Sequence, residues 1–167
     1  MKKQALSISV KTKKDTQLFT VKWKEATGEE RQCKSTDFPR PELLDTLTAF
    51  LPLLPNYTGI PADNIKWAEI AGGNFEYTKG GAVTLSLGVA VVIKGVGGYT
   101  FKSPELTVDL EHADINTAED WRDKYSALAK FLHDEIIMYA EGKRAQGNLF
   151  VEEGETDAGM DPYGAGA

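Results

Sequence analysis

The sequence is poor in the residues that build disulfides, metal centres and membrane spans. Its 167 residues include one cysteine, Cys33, and two histidines, His112 and His133. A single cysteine excludes an internal disulfide and fits a reducing cytosol. Neither histidine has a second histidine or a cysteine at zinc-ligand spacing. The longest apolar run, residues 85–93, is interrupted by a serine and a glycine and falls far short of the ~20 residues that a membrane span needs. We therefore expect no metal, no cofactor and no membrane association.

The first residues do not resemble an export signal. After two lysines, apolar and polar side chains alternate over residues 5–10, whereas a signal peptide carries a continuous apolar block. The composition is otherwise that of an ordinary globular protein, with 41% apolar and 26% charged residues. These features predict a protein of the cytoplasm.

Charge is distributed unevenly along the chain, whose formal net charge is -6. Residues 1–40 contain ten basic and five acidic residues, while residues 151–167 contain five acidic residues and no basic one. That acidic end has few apolar groups, so burial there cannot offset the entropy lost on ordering. The sequence predicts a single domain over residues 1–145, followed by a linear motif and a flexible acidic tail over 146–167.

Alternation of apolar and polar residues predicts an antiparallel meander at the N-terminus. Leu6, Ile8 and Val10 would form one buried face, and Phe19, Val21 and Trp23 continue it in the next strand. A short polar strand follows the turn at Gly28. The predicted strands are residues 4–12, 17–25 and 31–35.

The middle of the chain alternates between helical and strand signals. Pro39 and Pro41 predict a helix start, and Pro52 and Pro55 predict its end. The strands expected after this helix are residues 65–78 with a bend at two glycines, residues 83–93, and residues 99–110 with an edge or bulge at Pro104.

The clearest helical signal lies near the C-terminus. Thr117 and Asp120 have the spacing of a capping box, and Gly142 is a plausible stop. Between them runs a continuous apolar stripe made of Trp121, Tyr125, Leu128, Leu132, Ile136 and Tyr139. The predicted fold is α+β, in the order βββ-α-βββ(β)-α, with a mostly antiparallel sheet packed on this long C-terminal helix.

Catalytic patterns are scarce. His133, Asp134 and Glu135 are consecutive and could do acid/base work, but three such residues on a surface helix are more typical of a solvated face. Cys33 has no adjacent activating histidine, so a structural role in its strand is favoured over a reactive one. The glycine clusters do not match nucleotide-phosphate signatures and fit hairpin turns. We therefore expect no enzymatic activity.

Lysines of the predicted meander offer a possible phosphate-binding surface. If Phe19, Val21 and Trp23 face the core, the opposite face carries Lys11, Lys22 and Lys24, joined by either Arg31 or Lys34. The predicted aromatic residues lie on the other face, so no base-stacking surface is evident. Lysines that only solvate an exposed sheet and discourage edge pairing are the favoured alternative.

A short peptide at the junction of helix and tail resembles a known docking motif. Gln146, Leu149 and Phe150 resemble the Q-x-x-L-F pattern of peptides that bind the bacterial replicative sliding clamp, with Gly147 where that pattern usually has Leu or Met. The resemblance implies polar contacts from the glutamine and an apolar pocket for the other two side chains. The alternative is that Leu149 and Phe150 fold back onto the domain.

The same stretch, with its Lys-Arg-Ala-Gln-x-x-Leu-Phe run and acidic end, also resembles small uncharacterised proteins of tailed bacteriophages and prophages. This resemblance implies a cytoplasmic role in a bacterial host, in replication, recombination or host takeover. The sequence thus predicts a non-enzymatic interaction protein that binds the sliding clamp through residues 146–150. The alternatives are a single-stranded nucleic-acid-binding protein with an acidic tail, and a small-molecule or nucleotide-sequestering protein with a cavity between sheet and helix.

Overall fold

Seven strands form one antiparallel sheet. The structure is a computed structural model, and it describes residues 2–145. The order across the sheet is β3-β2-β1-β4-β5-β6, and β7 pairs with the other half of β5. The strands are β1 (Gln4–Lys13), β2 (Thr16–Lys24), β3 (Glu30–Ser35), β4 (Ile65–Tyr77), β5 (Val83–Ile93), β6 (Gly97–Lys102) and β7 (Leu106–Val108).

Helical segments follow β3 and β7. The helices are α1 (Pro41–Ala49), α2 (Leu54–Thr58) and α3 (Trp121–Ala140), with short 3-10 turns at Leu51–Leu53 and Ala62–Asn64. The predicted end of the first helix is confirmed, because α1 ends at Ala49, before Pro52 and Pro55. Two short helical segments follow, and each proline lies in the first turn of one of them, where its missing N–H has no helical partner to lose. The α+β class, the antiparallel sheet and the long C-terminal helix are confirmed.

The long helix begins three residues later than a cap at Thr117 would place it. Asp120 is the N-cap, and its Oδ1 accepts a hydrogen bond from the backbone N–H of Asp123 at 2.8 Å. Leu132 and Ile136 are fully buried at the sheet, as the predicted stripe requires, while Leu128 is partly buried. No helix among the described residues is long and apolar enough to cross a membrane.

One face of the sheet carries the hydrophobic core. α3 packs against β1, β2 and β7, while α1 packs against α3 and β4. The core side of β1 differs from the predicted one, because a bulge between Ala5 and Ser7 shifts the alternation. Ala5 and Ile8 are buried and Val10 packs beside them, while Leu6 is only partly buried and lies outside the core cluster.

The two halves of the sheet meet at a narrow joint. β1 pairs with β4 at three positions only, Ser7 with Asn74, Ile8 with Gly73 and Ser9 with Gly72. The backbones approach so closely here that a Cβ at Gly72 would lie 2.4 Å from the carbonyl oxygen of Ile8. The predicted bend at the two glycines is confirmed by a register shift between Ile70 and Gly72.

Candidate functional site on the open face of the sheet

The face of the sheet opposite the core is called the open face, because all three helices have buried residues in the core cluster on the other side. Strand pairing assigns side chains to the two faces, since directly opposite residues share a face. Trp23, a core residue, pairs with Arg31, so Arg31 is excluded from the open face. The pairing places five lysines of the meander on the open face: the predicted Lys11, Lys22, Lys24 and Lys34, here called the lysine patch, and Lys13, which pairs with Thr16.

The lysine patch is accessible. Lys11, Lys22 and Lys34 are exposed and Lys24 is half-buried. Within residues 2–145, none of these four has a salt-bridge partner. The predicted grouping of the lysines on one face is therefore correct in geometry. The pairing also resolves the open choice between Arg31 and Lys34 in favour of Lys34.

Two neighbouring rows of directly paired residues run across the open face, perpendicular to the strands. The first row contains Gln32, Lys22, Ser7, Asn74 and Ser86, from β3 to β5. The second row contains Lys34, Thr20, Ser9, Gly72, Gly88 and Lys102, from β3 to β6. The second row spans five strand spacings, or about 24 Å. It begins and ends with a lysine, and only small residues lie between them.

The middle of these rows forms a depression of about 340 Å³, here called the central trough. Its floor is the pair of glycines at positions 72 and 88, which face each other without side chains. Lys102 is the one charged residue of its lining, and no carboxylate side chain contributes to it. The polar side chains that line it are Ser7, Ser9, Asn74 and Ser86. Such a lining suits an anionic or neutral polar ligand.

Ser86 is the unusual residue of the central trough. It is 1% exposed although it lies on the face opposite the three helices that the structure describes. Its Oγ is buried and has no hydrogen-bond partner among residues 2–145. A buried hydroxyl without a partner costs free energy, so native structures seldom keep one without a reason. The alternation of β5 places Ser86 on the face opposite Leu85 and Leu87, but it does not predict that Ser86 is buried.

An exposed aromatic side chain also lies on the open face. Trp67 in β4 is 51% exposed and pairs with Val92, next to the core pair formed by Ala68 and Val91. The prediction that the aromatic residues of the meander avoid this face is correct for Phe19 and Trp23, which are buried, and Trp67 lies outside the meander. The period of two from Ile70 back to Ala68 would have placed Trp67 outward, because strand residues alternate faces.

A second, larger cleft lies at the edge of α3 and has a volume of about 1000 Å³. It brings together the two histidines, His112 and His133, which lie far apart in the sequence. The backbone N–H of His112 donates to Asp109 at 2.9 Å and lowers the pKa of that carboxyl group. His133 Nδ1 lies 3.1 Å from Asp134 Oδ1. The imidazole of His112 also lies beside Asp109, with Nδ1 3.3 Å from Oδ2, so the cleft has two imidazole-carboxylate pairs on its walls.

Glu135 does not belong to a solvated face, so that prediction was wrong for this residue. It is 7% exposed, and its Oε1 lies 3.5 Å from Nε of Arg40, the residue that precedes α1. Burial raises the pKa of Glu135, and the positive charge of Arg40 offsets part of that effect. The pair links α1 to α3 and has a structural role.

The described chain ends in a fixed position. Arg144 lies with its guanidinium 3.7 Å above the ring of Tyr139, and its Nη1 pairs with Asp37 at 3.2 Å. The backbone N–H of Ala145 donates to the carbonyl of Phe38 at 2.9 Å. Cys33 is partly buried beside Arg144, with its Sγ 3.7 Å from Nη2. The predicted docking residues Gln146, Leu149 and Phe150 lie outside the described residues.

Within residues 2–145, no group of three or more histidine, cysteine or acidic side chains is arranged to hold a metal ion. The chain matches no family model, and searches of curated proteins and of solved structures give no match either.

Proposed function

We propose that this protein binds single-stranded nucleic acid across the open face of its sheet, without enzymatic activity. The observation that carries the proposal is the second row of paired residues, which starts at Lys34, ends at Lys102 and has only small side chains between. An extended polyanion crossing the strands would meet a lysine at each end of that row. Nothing bulky would hold it off the sheet in the middle.

Charge supports the proposal despite the net acidity of the chain. All 19 basic residues lie within residues 1–145, and five of the 25 acidic residues lie beyond them. The described domain is thus nearly neutral, and its open face carries six lysines when Lys13 and Lys102 are added to the lysine patch. Three acidic residues share that face, Glu30, Glu69 and Glu76. The local excess of positive charge is what attracts a phosphate backbone.

Trp67 favours a single strand as the ligand. Its indole is half exposed on the open face, and unstacked bases gain free energy by stacking on such a ring. In a duplex the bases are already stacked on each other, so this contact would be lost. A phage or prophage setting in a bacterial cytoplasm, which the sequence resemblance implies, offers single-stranded replication and recombination intermediates as ligands.

The experiment is a fluorescence anisotropy titration of a labelled oligothymidylate of about 20 nucleotides at several salt concentrations. If Lys22, Lys34 and Lys102 each neutralise a phosphate, the slope of log affinity against log salt is about -2. Affinity then falls about twentyfold between about 50 and about 200 mM salt. Replacing both Lys22 and Lys34 with glutamine reduces the slope to about -0.7.

A charge-matched control separates this surface from general electrostatics. Lys79 lies in the turn between β4 and β5, and Lys124 is exposed on α3. The double variant Lys79→Gln with Lys124→Gln changes the net charge equally and should bind like the wild type. Equal weakening by both double variants, or no binding by the wild-type protein at low salt, refutes the proposal.

A second candidate function is docking on the sliding clamp through Gln146, Leu149 and Phe150. The anchoring of Arg144 and Ala145 favours it, because it fixes the point on the domain surface from which residues 146–150 start. That point lies beside Phe38, whose ring packs on the core residue Phe19 with the ring centroids 5.8 Å apart. The peptide therefore starts on the core side of the sheet. A clamp and a nucleic acid would not compete for one surface.

Calorimetric titration of purified clamp tests this second function. Short motifs concentrate their affinity in apolar anchors, so replacing Leu149 and Phe150 together with alanine should remove most of the binding heat. Ser9→Ala on the open face is the control and should leave it unchanged. Equal heats for all three proteins, or no heat for any, refutes clamp docking. A loss of thermal stability in the double variant would instead support the interpretation that these residues fold back onto the domain.

A further inference from the structure

The geometry points to the central trough as the seat of one phosphodiester group of the bound strand, and to this seat as the feature that selects a single strand over a duplex. The inference rests on the proposed function and goes one step further. The phosphodiester group would lie between Ser86, Gly88 and Lys102, and the shape of the trough would exclude a duplex.

The floor of the trough admits close approach of a ligand backbone. Gly72 and Gly88 pair directly, so the sheet exposes main chain there on two adjacent strands. Only Gly72 is required by the fold, because a Cβ at that position would collide with Ile8. A Cβ at Gly88 would find its nearest neighbour at 3.8 Å, an ordinary contact. Glycine at position 88 is therefore not explained by packing and is explained by space for a ligand.

Ser86 supplies the hydrogen-bond donor for that ligand. Its hydroxyl has no partner among the described residues, and its side chain lies on the open face at the wall of the trough. Its side chain has staggered alternatives about the Cα–Cβ bond, so the hydroxyl can reorient toward a ligand seated in the trough. A phosphodiester oxygen is a strong acceptor that would satisfy this hydroxyl while pairing with the ammonium group of Lys102. Lys102 is 57% exposed at its side chain and pairs only distantly with Glu105, at 4.0 Å.

The shape of the trough accounts for the selection of single strands. It extends over strands β1, β4, β5 and β6, which is three strand spacings or about 14 Å. A flexible single strand can lower one phosphate into such a depression. A duplex is stiff over ~150 base pairs, so it would have to bend, at a cost in free energy, to lower a phosphate into the trough. Without bending it rests on the rim. Glu76 at the rim, which accepts a 3.4 Å hydrogen bond from Asn74, would repel the second strand.

The test compares three single substitutions by anisotropy, each with a labelled oligothymidylate and with a duplex of the same length. Ser86→Ala removes the hydroxyl and should weaken single-strand binding about tenfold, the usual loss for one hydrogen bond to a charged group. Gly88→Val fills the floor and should weaken it at least as much. Ala90→Val is the control, because Ala90 lies on the same strand and face but outside the trough lining, and it should bind like the wild type.

Unfolding temperatures recorded on the same samples show whether a variant binds more weakly only because it has unfolded. Ser86→Ala should be at least as stable as the wild type, because it removes a buried hydroxyl without a partner. Single-strand binding that survives both Ser86→Ala and Gly88→Val overturns the trough assignment and leaves the proposed function standing. Equal affinity of the wild type for duplex and single strand overturns the selection. Failure of the wild-type protein to bind any oligonucleotide overturns the proposed function and this inference together.

Discussion

Substitution of Gly72 by alanine should destabilise the protein far more than the same substitution at Gly88, although the two glycines face each other. At Gly72 the new Cβ would lie 2.4 Å from the carbonyl oxygen of Ile8, about 1 Å inside normal contact, so the main chain of β1 or β4 has to move. Only three residue pairs join β1 to β4, and the movement strains all of them. Overpacking of this kind costs about 1–3 kcal/mol, and one weakened ladder hydrogen bond adds about 1 kcal/mol.

At Gly88 the same substitution should increase the free energy of unfolding. The new Cβ has 3.8 Å to its nearest neighbour, and the glycine does not have the positive φ that would strain an alanine. Alanine there should stabilise by about 0.4–1 kcal/mol, because it restricts the unfolded chain. Gly73→Ala should fall between the two, since its Cβ would lie 3.2 Å from the movable Cδ2 of Leu132.

Urea unfolding at equilibrium measures the three variants. The expected order of stability is Gly88→Ala, wild type, Gly73→Ala and Gly72→Ala, with about 2–5 kcal/mol between the extremes. At a size of about 150 residues this corresponds to about 6–15 °C in melting temperature. Equal effects at positions 72 and 88, or a larger loss at 88, would refute the assigned pairing of β1, β4 and β5.

Three further outcomes are expected. Leu132→Ala should cost about 2–5 kcal/mol in the free energy of unfolding, since Leu132 is fully buried, and Leu128→Ala should cost clearly less in the same urea titration. Burial raises the pKa of Glu135 in the folded state, so the contribution of this residue to stability falls as pH rises above about 4.3, the value in the unfolded chain. The free energy of unfolding of Glu135→Gln should therefore increase relative to that of the wild type as pH rises through this range. Urea unfolding at several pH values measures the difference. Arg144→Gln removes the ion pair with Asp37 and should expose the backbone N–H of Ala145 to faster hydrogen exchange, whereas unchanged exchange would contradict the anchoring role.

Local patterns in the sequence were sufficient for most of the fold. The alternation around Phe19, Val21 and Trp23 predicts both the strand and its buried face, and so places Lys22 on the opposite face. The stripe of α3 is equally local, because contacts three and four residues apart define it. Where a prediction failed locally, a backbone irregularity was the reason, as in the bulge that removes Leu6 from the core.

The candidate site depends on pairings that no local pattern contains. Ser7 meets Asn74, and Gly72 meets Gly88, only once the register of β1, β4 and β5 is set. The rows across the open face, the central trough and the burial of Ser86 all follow from those registers. Glu135 likewise pairs with Arg40, which is distant in the sequence. Because the sequence of α3 does not contain that partner, the helix alone predicts a solvent-exposed glutamate.

Mapping of backbone amide shifts by NMR, with oligothymidylate added to isotope-labelled protein, locates the bound strand on the fold residue by residue. If the strand binds across the open face, the largest shifts fall on the two rows, at Lys22, Ser9, Gly72, Gly88 and Lys102, and decrease toward α3. Their size should decrease as salt is raised, because phosphate contacts dominate the affinity. Shifts concentrated on α3 or on the cleft lined by His112 and His133, or no shifts at low salt, would contradict it.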